Sequence, residues 1–330
     1  KRKIRAAKRK DVTYNMVSEY DALWKDEKID IDILHSVSME FLSLYHYRDK
    51  FIKGTPPITY TIHGASYPNY INDFYLMQLL SPVKKYDSLI CTSTSVKKVV
   101  MNMHEKISEE LLEKKGIDVK YQGRLDVIPL GIDTERFKPA DKNEMRKKLG
   151  IPLDSFVILW LGRLSAFDKA DLYPLFIVFR RLLNHNPNQK LTLILCGHDR
   201  EGTPHLTTLK AYAKELGIYD NVMFMQQYDV RNRNEIFSSA DVFTSPIDNV
   251  QETFGITPIE AMACGIPQIV SDFDGYKDTV VDGVTGFKIP TLWSECDGDI
   301  SKAGMLPCDI EHRLFFQHFL TAQSIALDLD

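Results

Sequence analysis

The chain has few cysteines, no long apolar run and little excess of charge, and each lack closes off a class of function. Its 330 residues hold five cysteines, Cys91, Cys196, Cys264, Cys296 and Cys308, scattered and without a C-x-x-C pair. That pattern excludes a disulfide framework and a zinc module, and it fits a reducing compartment such as the cytoplasm. No apolar stretch approaches the roughly 20 residues needed to cross a bilayer, and no signal-peptide pattern opens the chain. A net charge of −4 gives no global attraction to nucleic acid or anionic lipid, so nucleic acid is not an expected partner and any basic site must be local. Internal repeats and low-complexity tracts are also lacking.

What is present describes a folded α/β protein. Hydrophobic residues make up 44% and charged residues 26%, the balance of a soluble globular chain, and the length suits two domains of roughly 150 residues each. Short runs rich in Ile, Leu and Val at 31–34, 58–62, 88–91, 125–128, 156–161, 191–196, 222–224, 242–244, 268–270 and 286–289 are not polar at alternate positions. Strands buried on both faces of a parallel sheet read this way. Helix-like stretches at 172–184, 207–216 and 234–239 lie between them, which implies βαβ units and doubly wound sheets. A boundary is expected near Pro139, dividing residues 1–139 from 140–330. A polar helix over 143–149 follows it, closed by Gly150 and Pro152. Residues 292–307 carry Gly, Asp, Ser and Pro without periodicity and read as a loop, and 311–330 read as helical. The basic run 1–10 reads as an exposed terminus; peripheral contact with an anionic membrane is the alternative.

The chemistry concentrates between Glu252 and Pro267. Pro258 suits a first helical turn, Glu260-Ala261-Met262-Ala263 favour helix, and Gly265 with Pro267 ends it. The helix should begin near Gly255–Thr257, after a glycine that lets a ligand approach the backbone. A helix N-terminus presents free N–H groups and the positive end of a dipole, and so binds phosphate. Glu252 before it and Glu260 inside it are poor phosphate ligands but good acceptors for sugar hydroxyls. The bland alternative makes Glu252 a helix cap and Glu260 a solvated position. Cations for a diphosphate are found after the strand 156–161, where Arg163 and Lys169 fall at the carboxyl edge of the sheet.

With these residues in view, the chain resembles the retaining glycosyltransferases of family 4, which have the GT-B fold of two Rossmann-like domains facing a cleft. The E-x7-E motif reads Glu252 to Glu260, and the strand-end motif reads Gly162-Arg163-Leu164 with Lys169. Further matches are Val127 to Pro139 between the domains, Ser238 to Phe243 before the motif and Asp282 to Phe287 after it. The resemblance implies an amino-terminal acceptor-side domain and a carboxyl-terminal nucleotide-sugar donor domain. Arg163 and Lys169 would bind the donor diphosphate and stabilise the leaving group. Glu252 would contact the transferred sugar, Phe254, Gly255, Ile256 and Thr257 would lie along sugar and phosphate, and Glu260 would hold the ribose. His63, closing the strand 58–62, would stand near the reacting sugar, and Gly197 would let the nucleotide pass close to the backbone. The implied reaction is transfer of a sugar, of hexosyl type, from a nucleotide diphosphate sugar to an acceptor with retained configuration. No cofactor or metal is implied, and no D-x-D pair is expected at a strand end.

The chain also departs from the family pattern. No opening strand with a Gly-rich loop is visible, and the final helices are short, so both ends are expected to be incomplete relative to the family. Alternative readings are a sugar-nucleotide epimerase or phosphorylase on the same fold, or a non-catalytic binding module. The aromatic stretches 41–47 and 67–75 are candidates for an acceptor lining, against plain core packing.

Overall fold

A computed structural model describes residues 30–37, 44–66, 70–166, 168–199, 205–226, 230–250, 252–294 and 320–329. The basic run 1–10 lies outside the described residues. Four strands, β1 (Leu34–Ser36), β2 (Ile58–Ile62), β3 (Ser88–Cys91) and β4 (Arg124–Val127), pair in that order, all parallel. Six more, β5 (Phe156–Leu161), β6 (Leu191–Cys196), β7 (Val222–Met225), β8 (Val242–Ser245), β9 (Gln268–Ser271) and β10 (Gly286–Ile289), form a second parallel sheet in the order β10-β9-β8-β5-β6-β7. Helices alternate with the strands, so the chain has two Rossmann-like α/β units.

The second sheet explains its own sequence. Val157, Leu159 and Leu161 of β5 join Ile194, Phe237, Phe243 and Ala261 in one core, while Ile158 and Trp160 join Leu193, Leu195, Phe176 and Phe179 in another. With a core on each face, every position of the strand must be apolar. From β5 the chain runs outward through β6 and β7, then returns to place β8 on the other side of β5. This reversal opens a crevice beyond the carboxyl ends of β5 and β8, where open α/β sheets bind ligands.

Between the units, Phe137 already packs edge-on against Phe237 of the second core, with ring centroids 6.3 Å apart. The helix Lys142–Leu149 is then pinned by Asp241, which accepts Lys142 and Arg146 at 2.6 Å each and the Val157 amide at 2.7 Å. The handover to the second core therefore precedes Pro139. The units touch where the helix Thr94–Lys115 of the first begins. Asp278 accepts the Thr94 amide at 2.5 Å and its hydroxyl at 2.6 Å, and Ser95 Oγ donates to the Asp274 carbonyl at 2.8 Å. Thr92 Oγ1 donates to the Thr253 carbonyl at 3.1 Å.

Three expectations change. The first strand lies at Leu34–Ser36 instead of 31–34, because Pro57 has no N–H to offer and the ladder opens with the Leu34 amide on the Pro57 carbonyl at 3.0 Å. Residues Thr291–Trp293 are a strand, paired antiparallel with Ile325–Leu327, so the expected loop 292–307 does not begin at 292; its residues 295–307, like 311–319 of the expected helix, lie outside the described residues. The expected terminal helix is accordingly helical at 320–323 and then extended. Of the aromatic stretches offered as an acceptor lining, Tyr45, Phe74 and Tyr75 are wholly buried in the first core, as apolar rings at helical spacing tend to be. Residues 41–43 and 67–69 lie outside the described residues.

Candidate functional site

The crevice is built from two chain segments that the β5–β8 switch brings together. The first leaves β5 at Gly162, whose amide donates to the Cys196 carbonyl at 3.0 Å. It then turns so that the amides of Lys169 and Ala170 both donate to the Ser165 carbonyl, at 3.1 and 3.0 Å. That turn sends the Lys169 side chain back across Gly162, where an added Cβ would meet Lys169 Cε at 3.3 Å. The second segment carries Glu252 into the helix Ile256–Ala263. Lys169 Nζ reaches Glu252 Oε2 at 2.5 Å, and Asn249 holds the Lys169 carbonyl.

Glu252 both ties down the turn before the helix and pairs with Lys169. Its Oε1 accepts the Gly255 amide at 2.9 Å, which ties down the turn before the helix, while Oε2 takes Lys169. Each carboxylate oxygen has a further lone pair for a ligand hydroxyl. Burial alone would raise the Glu252 pKa, but the Lys169 charge, its hydrogen bond and the Gly255 and Phe254 amides outweigh it and lower the value. Burial would likewise depress Lys169, and Glu252 followed by Tyr276 more than reverses that. Both shifts hold the pair ionised.

Gly255 sits at φ 87°, and a Cβ there would lie 2.2 Å from the Tyr276 ring. Its glycine is needed both for the left-handed backbone and for the tyrosine packed beneath it, whose hydroxyl lies 2.7 Å from Ser245 Oγ. Phe254 and Thr257 are buried while Ile256 is exposed, at the N-terminus that a phosphate would face. Gly197 has an internal reason as well: a Cβ would stand 1.8 Å from the Gly162 carbonyl oxygen. Its amide donates to the Met225 carbonyl at 3.0 Å, so this glycine keeps the ends of β5, β6 and β7 together.

Arg163 is half exposed and pairs with buried Asp168 at 3.0 Å. It borders a cleft of about 430 Å³ with Gly162, Lys169, His198, Asp199, Arg233 and Thr257. Glu260 is buried instead of solvated and forms an ion pair with Arg233. Burial raises its pKa to about 7 even though Arg233 and Arg136 oppose the shift. His63 ends β2 exposed, and its carbonyl accepts Thr253 Oγ1 at 3.3 Å, so the first unit meets the Glu252 segment there. His35, on the neighbouring β1, has its pKa lowered by burial and then by His63.

Arg233, His198, Asp199 and His35 were not foreseen. Arg233 opens a helix that reads as an ordinary polar one, and His198 and Asp199 follow β6 without a motif. A D-x-D pair, Asp272-Phe273-Asp274, does follow β9, contrary to expectation. Its Asp272 lies 3.6 Å from Lys288, and among the described residues no three His, Cys, Asp or Glu side chains are grouped to hold a metal.

Two facing Rossmann-like units, with a cationic crevice at the switch point of the second, define a GT-B architecture. Residues 141–295 match the family described as glycosyl transferases group 1. D-inositol 3-phosphate glycosyltransferase 2 of Catenulispora acidiphila is 31% identical over 221 residues, covering 66% of this chain and 49% of the relative. A D-inositol 3-phosphate glycosyltransferase of Mycobacteroides abscessus is 29% identical over 209 residues, covering 61% and 45%. The chain thus spans about half the length of the curated relatives it matches. Among solved structures, HepE from Anabaena in complex with UDP and glucose superposes with a TM-score of 0.62 at 18% identity, covering 89% of this chain and 74% of that one. Sucrose-phosphate synthase from Thermosynechococcus elongatus gives 0.59 at 20%, covering 88% and 69%. Residues 141–295 thus carry the group 1 glycosyl transferase pattern, and the chain has the GT-B fold.

Proposed function

We propose that this protein transfers a hexosyl unit from a nucleotide diphosphate sugar to an acceptor, with retention of anomeric configuration and without a metal ion. The observation that carries the reading is the convergence of Arg163, Lys169, Glu252 and the start of the helix Ile256–Ala263 at the carboxyl ends of β5 and β8. Cations beside a helix N-terminus suit a diphosphate, and carboxylates on either side suit hydroxyls.

In this reading Arg163 and Lys169 neutralise the charge that grows on the departing diphosphate, which is stabilisation aimed at the transition state. Lys169 is already held by Glu252 and Asn249, so little reorganisation is needed. Glu252 accepts hydroxyls of the transferred sugar, Glu260 those of the ribose, and His63 faces the reacting centre from the first unit. A front-face departure and attack, through an oxocarbenium-like species, agrees with a Glu252 whose two oxygens are both engaged, by Lys169 and by the Gly255 amide. The acceptor enters from the side of the first unit, and the products would be a polysaccharide, glycolipid or other glycoconjugate.

A thermal-shift screen with UDP-, GDP- and ADP-sugars tests the donor site, because a ligand that binds only the folded state raises the melting temperature. One nucleotide series should raise it and the others should not. Absence of any shift would remove the donor-site reading.

A further inference from the structure

Asp274 is the one non-glycine residue with positive φ among the described residues, at 45°. Left-handed backbone costs an L-residue roughly 1–2 kcal/mol, and Asp bears it only somewhat better than most. Glycine would take the same conformation freely. The side chain adds a second cost. Asp274 is half-buried, and burial, with the nearby Glu252 charge next, raises its pKa well above the ordinary carboxylate value; Asp278 adds to this and Lys277 opposes it. Among the described residues its carboxyl has no hydrogen-bond partner, and the charge of Lys277 only partly opposes the shift.

Its backbone, by contrast, is held from both sides. Its carbonyl accepts Ser95 Oγ of the first unit at 2.8 Å and the Lys277 amide at 3.3 Å. The next residue, Gly275, donates to the Glu252 carbonyl at 3.2 Å and lies so close to the Glu252 segment that a Cβ would stand 2.4 Å from the Phe254 nitrogen. Asp278, four residues on, is bound to Thr94. The strained turn therefore fixes the Asp274 carboxyl at the seam between the two units, beside the carboxylate that faces the donor sugar.

We infer that Asp274 is a specificity-determining residue for the transferred sugar, with its carboxyl hydrogen-bonding a hydroxyl of the glycosyl group held at Glu252. The inference rests on the donor-site reading above. A protonated carboxyl both donates and accepts, as a sugar hydroxyl does, so the pair is chemically matched. Asp274 and Glu252 would grip the glycosyl group through different hydroxyls, while Arg163 and Lys169 hold the diphosphate.

The experiment is calorimetric titration of the full chain with UDP, GDP and ADP, and with each nucleotide's glucose, galactose, mannose and N-acetylglucosamine conjugates. The quantity read is the gain in affinity of the best sugar conjugate over its bare nucleotide. In Asp274→Gly this gain should fall about tenfold, the size of a lost hydrogen bond to a buried polar partner. The bare nucleotide should bind within about twofold of wild type, and the melting temperature should hold or rise because the backbone strain is gone. Asp274→Asn, which tolerates left-handed backbone and still pairs with hydroxyls, should retain most of the gain. An unchanged gain in Asp274→Gly overturns the inference and leaves the donor site standing. So does loss of bare-nucleotide binding with a lowered melting temperature, which would make Asp274 structural. If no conjugate outbinds its nucleotide in wild type, the proposed contact is likewise absent. If wild type binds no nucleotide at all, the donor site itself falls.

Discussion

Each unit of this protein buries an arginine or lysine against a carboxylate, and the two pairs do opposite things. In the first unit Arg48 and Asp87 meet at 2.6 Å with both side chains wholly buried. Arg48 also donates to the Pro56 and Pro82 carbonyls, and Asp87 accepts the Ile58 and Lys84 amides at 2.8 and 2.7 Å. These bonds are all spent on the fold: the pair clamps the entry to β2 against the entry to β3. In the second unit Lys169 and Glu252 keep 15% and 18% of their side-chain surface open, and Lys169 lines a cleft. Ionic burial alone therefore does not mark a site. What marks it is a pair that is charged, fixed in place and still able to accept one more partner.

The sharpest way to break this contrast is to cut one member of each arrangement. Arg48→Ala leaves Asp87 buried without its counter-charge and should cost about 3–5 kcal/mol of stability, read from denaturant unfolding. Because it lies far from the switch-point crevice, the surviving folded fraction should bind nucleotide sugar normally. A cost below about 1 kcal/mol would mean that the first pair is not a clamp. Arg163→Ala should behave the other way. Its guanidinium is half exposed and its partner Asp168 retains other contacts, so stability should change by less than about 1 kcal/mol. Sugar transfer should nevertheless fall about 10²- to 10³-fold, the usual penalty for removing a group that stabilises transition-state charge. Near-normal turnover would show that Arg163 does not meet the diphosphate.

The second unit was far more legible in the sequence than the first, for physical reasons. A strand with a core on each face must be apolar throughout, so β5 and β6 stand out, and Gly255 with Pro258 punctuates the helix that follows. The Glu252–Lys169 contact spans 83 residues and follows from two motifs falling at the ends of β5 and β8. Arg233 could not be read in the same way. It is paired with Glu260 only because the helix Arg233–Ser238 packs on the helix Ile256–Ala263, a relation that no local spacing encodes. In the first unit the start of β1 was misplaced because Ile31 and Ile33 suit a strand by type. Ile33 is in fact 55% exposed, and pairing begins only where Pro57 permits.

Gly197 separates a glycine kept for the ligand from one kept for the fold. Gly197→Ala would drive a methyl into the Gly162 carbonyl 1.8 Å away, and the end of β5 would have to move. A loss of about 1–3 kcal/mol is expected, as for overpacking elsewhere, together with weaker nucleotide binding because Arg163 and Lys169 follow directly. A stability loss with unaltered nucleotide affinity would confine this glycine to the fold.

The smallest effect concerns Glu260. Burial has moved its pKa from the ordinary 4.5 to about 7, so the folded protein holds a proton there that the unfolded chain gives up. As pH rises from about 4.5 to 7, this group therefore contributes progressively against folding; ligand binding carries the opposite sign. An ionised Glu260 offers both oxygens to ribose hydroxyls, whereas the protonated form has one oxygen occupied, and a charge-assisted hydrogen bond is about twice as strong as a neutral one. Affinity for a nucleotide sugar, whose diphosphate diester does not titrate in this range, should improve about three- to tenfold between pH 6 and pH 8 and then level. Glu260→Gln should bind at the weaker level with a flat profile. Should the variant keep the wild-type slope, the titrating group lies elsewhere in the cleft and Glu260 serves Arg233 alone, which would make it the second unit's counterpart of Asp87.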